Sequence, residues 1–499
     1  MDTYQSLKQR FKKLAQIHHA LTFLHWDQMV MMPPGGNASR ANAIAELTSM
    51  HHELLTADKT GELLQQGAEQ AIDPFIVRSI QEMTREYQHG AAVPADLVRA
   101  KSLAGSHCEH GWRSQRRDND WQGFLKNFKE VVRLAREEAQ ARFAFRQSHF
   151  KTPYDALLDL YCTGDSSEFI GSIFSTLKDQ LPDLVQQITE KQRYESPPTL
   201  SGSYPISRQQ QLSQELMHCL GFDFNSGRID VSAHPFSTGC RGDQRITTRF
   251  REEEFMEALL ATAHETGHAS YEGGLPKEWD GLPIGQARNM CIHESQSLLF
   301  EKQLFLSRPF ISFFTSRIHE KLPSAEQFDE ATLWAAATRV CPSYIRVEAD
   351  EVTYPLHIIL RYEIESGLIN GDLAPEDIPE LWDLKMKKYL GLSTAGNFRD
   401  GCLQDIHWTD GSFGYFPSYT IGALNSAQLF FTIRKNFPDW QEKIATGNIA
   451  FVLNWLESTV WGKGSSEDSQ DIIFRATGSK TSPDFLLQHI RERYLEDNH

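Results

Sequence analysis

The sequence has few cysteines, no unbroken hydrophobic run and no excess of positive charge. Its seven cysteines are odd in number and scattered, without a CxxC pair, which favours a reducing, cytoplasmic compartment. Lys and Arg number 50 against 66 Asp and Glu, giving a formal net charge of −16. Nucleic acids and anionic membranes bind clustered positive charge. We therefore expect neither as a partner.

The most apolar stretch, SLLFEKQLFLSRPFISFF, is interrupted by Glu301, Lys302 and Arg308, whereas a membrane span needs about 20 mostly apolar residues. The N-terminal segment lacks the continuous apolar centre of a signal peptide. Its apolar residues from Tyr4 to Leu24 recur every three, four or seven positions, which predicts an amphipathic helix. With 40% apolar residues, the chain can fill a large core.

Helical periodicity dominates and predicts a mostly α-helical fold. Helices are expected at about 3–26, 38–57, 74–88, 121–147, 168–192, 207–219, 252–272, 284–306, 326–340, 349–368, 376–390 and 417–435. The segment at 195–207, ESPPTLSGSYPIS, is rich in Pro, Ser and Gly and is interpreted as a loop between two helical lobes.

One region, 227–250, shows the alternation typical of strands. Ile229 and Val231 alternate with polar neighbours. Ile246 and Thr248 do the same after a glycine-rich turn, STGCRGD. The pattern predicts a small β-hairpin directly before the next helix.

That helix contains two histidines four residues apart, His264 and His268, with Glu265 directly after the first. Residues four apart project from one helix face, so both imidazoles can bind one ion. The glutamate can accept a proton from water activated by that ion, as in HExxH hydrolases. Apolar neighbours predict a buried helix, where two unliganded histidines would be costly. The motif therefore predicts a metal-dependent hydrolase.

A third ligand is needed, because catalytic zinc keeps three protein ligands and one open position. Glu272 is eight residues after His264 and would lie about 12 Å along the helix, too far for the same ion. The longer HExxHxxGxxH pattern is absent. The next predicted helix carries His293 and Glu294 among apolar residues, and either side chain could complete the site.

Five motifs, in order along the chain, carry a resemblance to the carboxypeptidase Taq family of metallocarboxypeptidases. They are DQRIT (243–247), HETGH (264–268), HESQ (293–296), IRVEAD (345–350) and GCLQDIHW (401–408). Further stretches that resemble family sequence are LHWDQMVMMPPGG (24–36), HPF (234–236) and GYFPSYTIG (414–422). The resemblance thus covers most of the chain.

The resemblance implies a nearly all-helical fold split by a deep groove, similar to neurolysin and angiotensin-converting enzyme. We expect residues 1–499 to form one catalytic domain. The resemblance also implies release of single residues from peptide C-termini, and commonly a homodimer. It implies Glu294, rather than His293, as the third ligand. The implied metal is usually zinc, with cobalt often a good substitute.

A carboxypeptidase also needs a cation for the terminal carboxylate of its substrate, and the planar fork of arginine suits this role. Arg346 in YIRVEADEV is the first candidate, and the resemblance supports it. Its alternative is an internal salt bridge to an acidic residue within 348–351. Arg245 on the predicted hairpin is the second candidate, since an edge strand can pair with substrate backbone. Its alternative is an ion pair with Asp243.

Stabilising the oxyanion of a tetrahedral intermediate requires hydrogen-bond donors. The segment QDIHWTDGSFGYFPSYTIG offers His407, Tyr415 and Tyr419, with Tyr415 the preferred donor and Tyr419 a substrate contact. His407 could equally be a packed core residue. His234 in HPF is expected to contact substrate. Asp405 is expected to orient His407 or a ligand histidine, or to cap a helix.

Together these residues predict a metal-dependent carboxypeptidase that acts on peptides. Two alternatives stay open. A metallo-oligopeptidase that cuts internal bonds would not need an arginine for a free carboxylate. A catalytically silent peptide-binding scaffold would not need the full set of motifs.

Overall fold

The structure is a computed structural model that describes residues 2–146, 148–195 and 199–496. It is 69% helical, which confirms the predicted fold class. The α-helices of the described residues are α1 Thr3–Val30, α2 Asn37–Thr56, α3 Asp58–Gln70, α4 Pro74–Ala91, α5 Ala95–Arg117, α6 Trp121–Phe145, α7 Pro153–Leu158, α8 Ser167–Gln192, α9 Ile206–Cys219, α10 Met256–Gly274, α11 Met290–Leu298, α12 Arg308–Lys321, α13 Glu330–Ala337, α14 Tyr354–Asn370, α15 Ile378–Leu390, α16 Pro417–Asn436, α17 Trp440–Ala445, α18 Ala450–Thr459, α19 Ser469–Thr477 and α20 Pro483–Tyr494. A π-helix, Leu299–Phe305, continues α11.

Each predicted helix has a counterpart whose ends mostly differ by a few residues. Position 147, the predicted end of α6, and positions 196–198 of the predicted lobe junction lie outside the described residues. Helices α3, α5, α7, α12 and α17–α20 are additional to the prediction. Within the described ranges, no helix is long and apolar enough to cross a lipid bilayer.

The sheet differs from the predicted hairpin in its pairing. It has three strands, β1 Gly227–Val231, β2 Phe236–Cys240 and β3 Asp243–Thr248, in the order β1-β3-β2. The two predicted strands, β1 and β3, pair in parallel, with Ile229 opposite Ile246. Parallel neighbours cannot be joined by a tight turn. Accordingly the expected turn segment forms β2, and β2 and β3 make the hairpin.

Two large hydrophobic clusters form the core, and α11 and α16 contribute to both. The first cluster includes residues of α6–α8, α14, α15 and α20, and the second residues of α9, α10, α12 and α17–α19. On α11, Cys291 belongs to the first cluster and Ile292 to the second. On α16, Leu424 belongs to the first cluster and Leu429 to the second. The packed pair α11 and α16 therefore lies where the two clusters meet.

Candidate metal centre

Helix α10 carries the HETGH residues and packs against α9, α11 and the sheet. Its core face is anchored by apolar residues such as Ala263. The rings of His264 and His268 lie one turn apart, with centroids separated by 4.9 Å. Gly267 permits close packing of α11, because a Cβ at this position would lie 2.6 Å from the Gln296 carbonyl oxygen. This glycine therefore sets the spacing between the two helices that carry the candidate ligands.

Glu294 on α11 reaches both imidazoles. Its Oε2 atom lies 3.5 Å from His268 Nε2 and 3.9 Å from His264 Nε2. One ligand atom from each of the three residues lies within 4.8 Å of the others. Ligands of one tetrahedral zinc ion lie roughly 3.3 Å apart, so small side-chain movements suffice for a common ion. Gly422 of α16 makes room, since a Cβ there would lie 2.7 Å from the Glu294 Cβ atom.

The Nδ1 atoms of both histidines already have polar partners, which leaves their Nε2 atoms for an ion. His264 Nδ1 lies 2.8 Å from Glu301 Oε2. His268 Nδ1 lies 2.6 Å from Nδ1 of His293, whose Nε2 lies 2.9 Å from Glu272 Oε1. Such partners orient ligand histidines and fix their tautomers. The donor set therefore fits a divalent ion held by two imidazole nitrogens and one carboxylate.

Glu301 is not among the site residues predicted from sequence, although a signal for it exists. It follows Glu294 by seven residues, two turns along the same face of a helix. It also lies in the π-helix Leu299–Phe305, and π-helical turns are frequent at functional sites. His293, the alternative third ligand, contacts the Nδ1 atom of His268. It does not belong to the cluster of ligand atoms formed by His264, His268 and Glu294.

Carboxylates crowd this centre. Burial raises the pKa of Glu265 to about 7; His264 opposes this shift, and Glu294 and Glu301 add to it. Burial alone would lower the pKa of His264, but the carboxylates of Glu294 and Glu301 raise it to about 9. Positive charge placed among these groups is therefore stabilised.

Arg346 lies in a short 3₁₀ turn and is 5% exposed. Its Nη2 donates to Asp405 at 2.8 Å, and its Nη1 donates to the Tyr354 hydroxyl at 2.8 Å. The ion-pair partner is thus Asp405 and not an acidic residue within 348–351. Asp405 also accepts from Arg361 Nη1 at 2.6 Å, so it holds two arginines and not a histidine as expected. One carboxylate shared by two guanidinium groups does not neutralise Arg346 on its own.

A cavity of about 270 Å³ connects this arginine with the candidate ligands. Its walls include His264, Glu294, Arg346 and Tyr419, so the structure brings these predicted residues together. Tyr354, not predicted from sequence, also lines it. Ligand pockets usually measure about 300–1,000 Å³. The volume therefore suits one amino-acid residue better than a longer segment of peptide.

Tyr415 and His407 lie beside this cavity. Tyr415 packs edge-on against Tyr419, with ring centroids 5.2 Å apart, and His407 stacks on Tyr415 at 6.0 Å. Burial, aided by the charge of Glu294, raises the pKa of Tyr415 to about 12. Burial, followed by the charge of Arg361, lowers the pKa of His407 to about 4. Both side chains are therefore neutral near pH 7, and both keep a proton to donate.

Arg245 and His234 lie at the sheet and do not line the cavity. Arg245 is on β3, which is the central strand and not the expected edge strand, so β3 cannot pair with substrate backbone. Arg245 donates to Asp243 at 2.8 Å, and its guanidinium lies 4.6 Å from the Trp26 ring of α1. His234 is exposed in the loop between β1 and β2. Their expected contacts with substrate stay predictions.

A model of the carboxypeptidase Taq (M32) metallopeptidases matches residues 6–494. The chain belongs to this family. Thermostable carboxypeptidase 1 of Thermus thermophilus is 35% identical, over 98% of each chain. Carboxypeptidase 1 of Bacillus subtilis is 32% identical, over 99% of each. The solved structure of Trypanosoma cruzi metallocarboxypeptidase 1 is similar, with a TM-score of 0.96 and 36% identity over 99% of both chains.

Membership in the carboxypeptidase Taq family makes the chain a metallocarboxypeptidase, a peptide hydrolase that uses a divalent metal ion. The predictions of family, fold class and enzyme class are confirmed. The oligopeptidase and scaffold alternatives find no support among these relatives, whose names are those of carboxypeptidases.

Proposed function

We propose that this metallocarboxypeptidase binds one zinc ion through His264, His268 and Glu294, and that cobalt can replace it. The support is the approach of two imidazole nitrogens and one carboxylate oxygen to within 4.8 Å of one another. Catalytic zinc prefers such a set of donors. When bound, the ion lowers the pKa of coordinated water and polarises the scissile carbonyl.

Glu265 is the proposed general base. It follows His264 directly on α10 and is 7% exposed, so its carboxylate is held close to the ligands and largely away from bulk water. In this role the carboxylate accepts the proton of the attacking water and delivers it to the amine of the departing residue. A group that is not itself a ligand keeps its oxygens free for both transfers.

The oxyanion requires neutral donors, and the aromatic residues beside the cavity supply them. Tyr415 is the preferred donor because burial keeps its phenol protonated. Tyr419 lines the cavity and contacts the substrate directly. His407, stacked on Tyr415, contributes a neutral imidazole to the same group. Donors fixed in place before the reaction stabilise developing charge at little reorganisation cost.

The exopeptidase assignment rests on one observation, the position of Arg346 in the same cavity as His264 and Glu294. Its guanidinium binds the free carboxylate of the substrate, for which the planar fork of arginine is suited. The last residue then occupies the cavity, and the final peptide bond lies next to the ligands and Glu265.

Three further proposals concern substrate contacts at the sheet, cellular location and oligomeric state. Arg245 and His234 would contact the substrate through their side chains from the sheet side, since β3 is the central strand and has no free edge for the substrate backbone. Cytoplasmic location is supported by the seven cysteines, all of which are free thiols. A homodimer is supported by the family resemblance.

The test compares peptides with a free C-terminus with their C-terminal amides, using metal-loaded enzyme and mass spectrometry. The wild-type enzyme should release single residues from the free acids and act slowly on the amides. Arg346→Ala should lower kcat/KM for the free acids by roughly a hundredfold, since a charged hydrogen-bonded pair is lost. The ratio of kcat/KM for acids to that for amides should fall accordingly. Arg245→Ala is the matched control and should affect acids and amides alike. Equal cleavage of acids and amides by the wild type would contradict the proposal.

A further inference from the structure

One wall of the cavity is a single face of α16. Tyr419, Ala423 and Ser426 line the cavity and are spaced four and three residues apart, as residues on one helix face are. The Arg346 guanidinium lies 5.6 Å from the Tyr419 ring. Ser426 lies seven residues further along, about 10 Å at 1.5 Å per residue. The cavity therefore extends away from Arg346 by about the length of a side chain.

The second wall follows α11 and its π-helical continuation. Glu294, Leu298 and Lys302 line the cavity at intervals of four residues. Glu294 belongs to the metal end, where it contacts Gly422. Lys302 is eight residues from Glu294 in this row, and its ammonium group contacts Glu301, which also lines the cavity. Both walls thus end in a polar side chain, whereas Leu298 and Ala423 make their middle apolar.

The ammonium group of Lys302 has unused donors. Its Nζ donates to Glu301 Oε1, and among the described residues no second acceptor is found for it. An ammonium carries three N–H groups, so two have no acceptor among the described residues. Burial opposes the charge of Lys302, but Glu301 and Glu351 raise its pKa, and it stays an ammonium near pH 7.

The other polar groups at this end differ in whether they already have hydrogen-bond partners. Glu351 is already bound by Arg493 at 2.7 Å and by the Tyr494 hydroxyl at 2.5 Å, so it offers little to a ligand. Ser426 is 1% exposed, and its Oγ has no partner within the part of the chain that the structure describes. This Oγ atom has almost no surface open to the cavity, so a bound acceptor recovers the free-energy cost of the unpaired hydroxyl only when the side chain rotates toward it. Lys302 and Ser426 can therefore both donate a hydrogen bond to an acceptor bound at this end of the cavity.

We infer that Lys302 and Ser426 make the enzyme prefer a released residue whose side chain ends in an oxygen acceptor, namely glutamine or glutamate. The inference rests on the proposed function, because Arg346 must hold the terminal carboxylate for the side chain to enter this cavity. Methionine has a similar length but only a weak sulfur acceptor. A lysine side chain would bring a second ammonium next to Lys302 and should be the poorest of the three.

The test uses peptides that differ only in a C-terminal Gln, Met or Lys, with kcat/KM measured for each. The kcat/KM for the Gln peptide should exceed that for the Met peptide by roughly tenfold, which corresponds to one hydrogen bond to a charged group. The kcat/KM for the Lys peptide should be lower than that for the Met peptide. In Lys302→Met the Gln to Met ratio should approach one. The ratio within one variant is informative even if loss of the contact to Glu301 lowers all activities together.

Two variants serve as controls. Lys385→Met removes a lysine that is paired with Glu363 outside the cavity, and it should leave the ratio unchanged. Lys302→Arg keeps the donors and should keep the preference for Gln. Release of single residues with no preference for Gln, or an unchanged ratio in Lys302→Met, would overturn this inference alone. Equal cleavage of acids and amides would overturn the proposed function and this inference with it.

Discussion

The metal ligands and Arg346 lie at opposite ends of the space proposed for the last peptide bond of the substrate, and these two ends differ in charge and in backbone. At the metal end, Glu265 of α10, Glu294 of α11 and Glu301 of the π-helix that continues α11 gather around two histidines of α10. At the other end, two guanidinium groups share the carboxylate of Asp405, and Arg346 lies on a short 3₁₀ turn. The first end suits a cation and the second suits an anion. A peptide terminus placed between them is oriented by its own charge.

The largest expected effect comes from removing the cation at the metal end. His268→Ala deletes one of three ligands, so purified protein should retain little metal and have almost no activity. Elemental analysis and a peptide assay on the same sample check this. Arg346→Ala, a change at the opposite end, should keep the metal content of the wild type. If His268→Ala held as much metal as the wild type, the proposed ligand set would be wrong.

A second prediction separates metal binding from proton transfer within the metal end. Glu265→Gln keeps the size of the side chain and removes the proton acceptor. Turnover should fall by at least about a hundredfold, the usual worth of a general base, while metal content stays the same. Loss of metal together with activity would instead point to a ligand or structural role for Glu265, and near-normal turnover would exclude the base role altogether.

The difference between the ends also explains which features could be predicted from sequence. The HETGH spacing reflects the helical repeat, so His264 and His268 could be placed on one face from sequence alone. Asp405, the partner of Arg346, lies 59 residues further along the chain, and no local periodicity connects the two. The acidic residues next to Arg346 in sequence are therefore poor guides to its partner.

The same limit applies to the fold. Helix α5, Ala95–Arg117, was absent from the prediction because its buried positions include Gly105 and Cys108, which form no apolar stripe. Gly105 allows α5 to approach the backbone at Asp410 closely, since a Cβ on this glycine would lie 3.2 Å from the Asp410 Cα atom. In the sheet, alternation identified β1 and β3 but not their parallel pairing. Periodicity reports which face is buried, and not which neighbour buries it.

The smallest expected effects concern the residues that hydrogen-bond to His264 at one end and to Arg346 at the other. Glu301→Gln removes the carboxylate at His264 Nδ1, and Tyr354→Phe removes the hydroxyl that accepts from Arg346. Both replacements keep the shape of the side chain. If the two ends work independently, each variant should impair one property and spare the other.

Glu301→Gln should weaken metal affinity by about 10–100-fold, the usual cost of losing a polar partner of a ligand histidine. Competition with a chelator measures this, and the preference for free acids over amides should survive at saturating metal. Tyr354→Phe should leave metal affinity unchanged and raise KM for free acids by a few-fold, because one neutral hydrogen bond to the guanidinium is lost. Amides, which do not use that charge, should be unaffected. A Tyr354→Phe enzyme with weakened metal affinity would show instead that the carboxylate-rich and arginine-rich ends form one coupled network, since Tyr354 lines the cavity between Arg346 and Glu294.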